Sequence, residues 1–234
     1  MCWSGEASIA LSAVGVAGTA WAAYKKEPPE LWMCLGYFTL MEILQAYTYT
    51  VINQCHDPGN QIATLLGYLH ITFQIFFINA VSLHFIDQGV AKKIQPYVYM
   101  VCFAASIMML IKMYPFAWAG LCEAGVRPMC GPEICSVDGN WHIAWEVPVN
   151  TINDGFSWYL LAGFVTPILY GSWRFTLYHF LMGPALAYLT TDNMNEWPAV
   201  WCLLSIGFML IVVKTPVRKI LYMKKKWLLA KWVS

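Results

Sequence analysis

A carboxylate stands inside an apolar run. Glu42 lies eleven residues into the stretch 31–52, and an ionised side chain at the centre of a bilayer costs about 2.5–3.5 kcal/mol on insertion scales. Such a group must face protein or a water-filled cavity, where it can take up a proton, a cation or a hydrogen-bond donor. Gln45, Tyr49 and Asn53 follow it at spacings of three and four, which places all four on one helix face. His70 and Gln74 share a face of the next apolar stretch, 62–86. At 1.5 Å per residue, Glu42 is about 16 Å and His70 about 18 Å from the same side of a core about 30 Å thick. Glu42, Gln45, His70 and Gln74 are therefore expected to form one cluster, with Tyr49 beside it. Glu42 would be the proton or cation acceptor and His70 its partner.

A second set lies in the segment 139–150, Gly-Asn-Trp-His-Ile-Ala-Trp-Glu-Val-Pro-Val-Asn. Trp141 and Trp145 are four apart, as are His142 and Glu146, so one helical turn would present two adjacent stripes. Facing inward, His142 and Glu146 would be an acid/base or metal pair over the outer mouth. With His70 and Glu42 they form a candidate divalent-metal set, since imidazole and carboxylate are the ligands such ions take. Cys2, exposed as an N-terminal thiol once Met1 is removed, could join them. His70 and His84 are fourteen residues, about 21 Å, apart on one helix, a spacing similar to that of membrane cytochromes b. No second helix repeats the pair, which leaves haem the weaker cofactor candidate. The chain has no mid-membrane lysine in its last span for a retinal Schiff base, no phosphate-binding glycine loop and no zincin H-E-x-x-H.

The elements that must position these residues read as transmembrane helices. Of 234 residues 59% are hydrophobic and 12% charged, against about 25% charged in soluble domains, and the mean hydropathy is +0.53. Spans are expected at about 5–24, 31–52, 62–86, 95–114, 155–171, 174–191 and 197–214, from the roughly 20 apolar residues a crossing needs. Seven crossings put Lys25, Lys26, Lys92, Lys93, Arg174 and the basic residues from Lys214 onward on one side, twelve in all, against Lys112 and Arg127 on the other. The positive-inside rule then sets the N-terminus outside and the C-terminus in the cytoplasm of a cell (inner) membrane. The expected fold is all-α: a polytopic seven-helix domain over 1–216, with an outer loop at 115–153, and a basic interfacial tail over 217–234. Two groups of three helices around the fourth suggest a 3+1+3 repeat, similar in order and size to the sugar-transporter and PQ-loop class, although the PQ dipeptide is missing. A net charge of +1 gives no reason to expect a nucleic-acid partner.

Cysteines divide by this topology. Cys34, Cys102 and Cys202 fall in apolar spans and read as small buried hydrophobes. Cys55, Cys122, Cys130 and Cys135 fall outside, where disulfides persist. A bridge within the Gly- and Pro-rich loop 122–135 is expected, with the connectivity open.

The opening Met1-Cys-Trp-Ser-Gly5, with Gly36-Tyr-Phe-Thr-Leu-Met-Glu42, Leu66-Gly-Tyr-Leu-His70, Asn140-Trp-His-Ile-Ala-Trp-Glu146 and Asn195-Glu-Trp-Pro-Ala-Val-Trp201, resembles an uncharacterised family of bacterial seven-helix membrane proteins. The resemblance implies no activity. The residues themselves suggest a protein of the lipid bilayer that binds or transports a small molecule or lipid through an outward-opening polar pocket between helices 1–3. A membrane-embedded metal-dependent enzyme acting on a lipid or quinone, and a structural subunit with membrane-complex partners, are the alternatives.

Overall fold

The computed structural model describes residues 3–123, 125–152 and 155–223. Helices occupy the expected apolar stretches, and their starts follow from local chemistry. Helix α1 (Gly5–Tyr24) opens on Ser4, whose hydroxyl accepts the Ala7 N–H. Helix α2 (Pro29–Val51) and α3 (Pro58–His84) each begin with a proline, which lacks an N–H where a helix cannot use one. Asp57 caps α3, and Asp87 caps α4 (Gln88–Met113) through the N–H groups of Gly89 and Val90.

The next two apolar stretches are interrupted. Helix α5 (Gly155–Leu160) passes through a π turn (Leu161–Val165) into α6 (Thr166–Tyr170). Gly171, at φ 105°, ends α6 in the left-handed region. Helix α7 (Trp173–Phe180) passes through a second π turn (Leu181–Ala185) into α8 (Leu186–Thr190). A proline accompanies each turn, Pro184 within one and Pro167 just after the other. A residue without an N–H breaks the i to i−4 ladder locally. Helix α9 (Trp197–Lys214) and the short α10 (Val217–Leu221) follow. Among the described residues four helices, α1, α3, α4 and α9, are by length and composition long and apolar enough to cross a membrane.

Successive segments alternate between two ends. At one end, Glu27 pairs with Arg218, the Met223 N–H reaches Phe85 O, and Arg174 Nη1 bonds Ile220 O at 3.0 Å. The first turns of the expected tail thus dock on the bundle; residues 224–234 lie outside the described ones.

The opposite end corrects the all-α expectation. Segment 115–153 contains an antiparallel hairpin, β1 (Cys135–Asp138) and β2 (Ile143–Glu146), with Cys135 opposite Glu146 and Ser136 opposite Trp145. The expected helical turn at 141–146 does not form. Two disulfides hold this lobe: Cys122–Cys130 within the loop, as expected, and Cys55–Cys135, which ties β1 to the α2–α3 connection. Cys34, Cys102 and Cys202 are buried free thiols.

Buried asparagines stitch the lobe and helices together. Asn60 donates to Val51 O and Ser136 O and accepts the Ser136 N–H. Asn195 exchanges both bonds with the Cys130 backbone, and Asn150 donates to Ile111 O and Tyr114 O. Within the bundle Asn79 bonds Ala162 O and accepts from Tyr170. Each amide satisfies backbone groups that no regular ladder reaches.

Candidate functional site

Close packing of α1 on α2 builds one wall of the site. The α1 face buries Ser8, Ser12, Gly15, Gly18 and Ala22, small residues that let two helices approach. A Cβ on Gly15 would collide with Thr39, and one on Gly5 would stand 3.1 Å from Tyr49 Cβ. The helices are antiparallel, so Ser12, three before Gly15, lies level with Glu42, three after Thr39.

Glu42 is fully enclosed. Ser8 and Trp3 face its carboxyl as the nearest donors; Trp3 Nε1 donates to Ser8 Oγ at 2.9 Å, which leaves the Ser8 hydroxyl proton free to turn toward Glu42. Among the described residues neither Glu42 oxygen makes a well-formed hydrogen bond, and Ser12 Oγ is unpaired. Gln45, also fully enclosed, points one turn along α2 at α9, where its Nε2 is 3.5 Å from Ala199 O. Its Oε1 is unpaired. From α3, Gln74 Oε1 accepts from the Cys202 thiol of α9 at 3.6 Å, leaving Nε2 unpaired. Cys202 in turn lies within electrostatic reach of Glu42 and of Tyr159, whose buried hydroxyl is also unpartnered. Buried polar groups are normally satisfied, by protein or by water. A concentration of such groups between α1, α2, α3 and α9 is therefore the feature that sets this part of the bundle interior apart.

Gln45 and Gln74 each meet α9, at Ala199 O and the Cys202 thiol, a wall the expected helices 1–3 do not include. His70 is not with them. Its ring stacks on Tyr37 at 3.8 Å, Tyr37 stacks on Phe77 at 3.9 Å, and the Tyr37 hydroxyl donates to His70 O. Imidazole and carboxylate share a depth without sharing a face.

Tyr49 instead meets the lobe. Its hydroxyl is 2.6 Å from His142 Nδ1, and the rings stack. Trp3 stacks on Trp141 at 5.8 Å, and the Trp3 backbone N–H donates to Trp141 O at 2.9 Å. These four side chains cover the lobe end of the Glu42 site. His142 is fully buried, with Nε2 unpaired, and burial pushes its imidazole down to about 3, so it is neutral at ordinary pH. Glu146, pairing expected with His142, lies instead in β2 against Gly131; partial burial, reinforced by Glu133, raises its pKa.

Glu196 holds the cover in place. Its carboxylate accepts the N–H groups of Asn140 at 2.6 Å and of Trp141 and His142 at 2.9 Å. Sequence reasoning missed this role, because an acceptor of backbone N–H groups has no side-chain partner to reveal it. His179 is fully buried among Phe164, Phe175 and Phe208, and Trp201 Nε1 donates to its Nε2 at 3.1 Å.

Among the described residues no group of three or more His, Cys, Asp or Glu side chains could hold a metal ion. Of the expected set His70, His142, Glu146 and Glu42, His70 stacks on Tyr37 and Glu146 is in the hairpin, and Cys2 lies outside the described residues. His84, the other half of the haem spacing, is 3.8 Å from Glu30.

Fold and site together define a helical bundle capped by a disulfide-held lobe, with a buried carboxylate inside. The chain belongs to a family of unknown function (DUF5765), which it matches over residues 6–222. Comparison with curated proteins and with solved structures gives no match.

Proposed function

We propose that this is a seven-pass integral membrane protein that binds, and moves across the bilayer, a small polar molecule or ion held at Glu42. The observation that carries this reading is the Glu42 carboxylate itself, enclosed by α1, α2 and α9 with neither oxygen in a well-formed hydrogen bond among the described residues. Intramembrane ionisable groups mark substrate or proton paths.

The membrane setting is supported by the outer surface of the bundle, where Leu40, Ile62, Phe73, Phe103, Leu169 and Leu181 are exposed. Apolar exposure on that scale is foreign to a monomer in water. Lys25 and Lys26 lie in the α1–α2 connection, and Lys92, Lys93, Arg174 and Lys214 in the terminal turns of α4, α7 and α9, at the end where Glu27 meets Arg218, which would be cytoplasmic. The disulfides mark the other end, in an oxidising compartment. Access would run from the lobe, past Trp3, Trp141 and His142, to Glu42.

Proteoliposomes given a mixed panel of amines, amino acids, sugars and monovalent cations test the proposal. The protein should take up at least one of them, and Glu42→Gln should abolish that uptake while keeping both disulfides. Identical uptake profiles for wild type and variant contradict it.

A further inference from the structure

The unpaired atoms identify what the Glu42 site accepts. Around the carboxylate they are acceptors or hydroxyls: Glu42 Oε1 and Oε2, Gln45 Oε1 and Ser12 Oγ. Gln45 cannot turn its amide to supply a donor without giving up its contact with Ala199 O. The groups that face Glu42 include the Ser8 hydroxyl from α1, the Trp3 indole from the N-terminal segment, the Cys202 thiol from α9 and, one step beyond, Tyr49 of its own helix. Gln74 of α3 reaches Cys202 rather than Glu42. None of these is a cation. Among the described residues an ionised Glu42 has no charged partner, and protein interiors do not tolerate a lone buried charge. The carboxyl must either keep its proton or receive a positive charge from outside.

Charge balance selects the size of that charge. One carboxylate neutralises one positive charge, whereas a divalent ion would leave an uncompensated charge of the opposite sign in the same enclosure. Carboxylate, amide carbonyl and hydroxyl oxygens are the ligands hard cations take. The surrounding residues are small on the α1 side, with Ser8, Ser12 and Gly15 in succession, which suits a bare ion better than an organic ammonium.

Building on the ligand-site reading above, we propose that Glu42 exchanges its proton for a monovalent metal cation, of the sodium or potassium class, with Gln45 and Ser12 as co-ligands. The step balances: the cation enters, the carboxyl O–H bond breaks, and one proton leaves to solvent as the carboxylate takes the ion. The exchange gives the site a way to be occupied without burying net charge.

The test is proton release from purified protein in weakly buffered detergent, read with a pH-indicating dye. Addition of sodium or potassium chloride should release about one proton per chain, and N-methylglucamine chloride at equal ionic strength should release none. Glu42→Gln should release none while retaining its melting temperature and both disulfides. Gln45→Leu should weaken the response about tenfold through loss of one oxygen ligand. Release that is unchanged in Glu42→Gln, or equal with N-methylglucamine, overturns the exchange. Dicyclohexylcarbodiimide, which modifies protonated carboxyls in apolar surroundings, separates this failure from the broader one. If it labels Glu42 but neither cation releases protons or protects against labelling, cation exchange is wrong and the ligand site stands. If Glu42 is neither labelled nor cation-responsive, both fall.

Discussion

The Tyr49 hydroxyl sits 2.6 Å from His142 Nδ1, joining the helix that carries Glu42 to the hairpin that covers it. Tyr49 is seven residues, two turns, beyond Glu42 on the same face. The contact makes the position of the cover depend on α2. Tyr49→Phe removes the hydroxyl but keeps the ring, and should lower lobe stability by about 1–2 kcal/mol, because it strands a buried imidazole nitrogen. Amide exchange over residues 139–146 checks this; protection equal to wild type would contradict it.

Acid should loosen the same contact. The folded His142 pKa is about 3, below the ordinary 6.5, owing to burial. Between those values the unfolded lobe binds a proton that the folded lobe refuses. Stability therefore rises with pH across this window, and is lost as pH falls from about 6.5 toward 3, by about 1.4 kcal/mol per pH unit. The measurement is lobe protection against pH for wild type and His142→Asn. The variant should lack this part of the slope, and parallel curves would show that His142 does not cause it.

Glu196 supplies the charge that anchors the cover. Three N–H groups converge on its carboxylate, and hydrogen bonds to a charged group contribute about 1.5–3 kcal/mol each. Glu196→Gln keeps the shape but halves the acceptor capacity, and should destabilise the 139–142 turn by about 3 kcal/mol. Limited proteolysis after Asn140 or Trp141 reads the opening. A variant as resistant as wild type would remove Glu196 from the account.

How much of this was legible in the sequence differs by element. Helix positions were, because runs of about 20 apolar residues admit few alternatives and Ser4, Asp57 and Asp87 mark their starts. That Glu42, Gln45 and Gln74 belong to the bundle interior was readable from their place in apolar runs. The contacts of Gln45 with Ala199 and of Gln74 with Cys202 were not, because a helix face indicates direction without naming the neighbour. His70 failed for that reason: Tyr37 intercepts it. The hairpin was misread because residues four apart lie together on a helix and also on a strand. The β-branched Val137, Ile143, Val147 and Val149 around Gly139-Asn140 were the signal that favoured strands.

The disulfides should contribute unequally. Cys55–Cys135 spans 80 residues and Cys122–Cys130 spans 8, for which chain entropy gives about 4.5 and about 2.5 kcal/mol. Replacing the first pair with serines should lower the melting temperature more than replacing the second. The opposite order would show that strain or helix insertion, rather than loop closure, sets their contribution.

The central claim is that Glu42 is a protonated, reachable carboxyl inside the bundle. Dicyclohexylcarbodiimide treatment of membranes, followed by peptide mass spectrometry, tests it most directly. The account predicts modification at Glu42 ahead of Glu27, Glu30 and Glu196, suppressed as pH rises and absent in Glu42→Gln. Modification of other carboxylates with Glu42 untouched would contradict it.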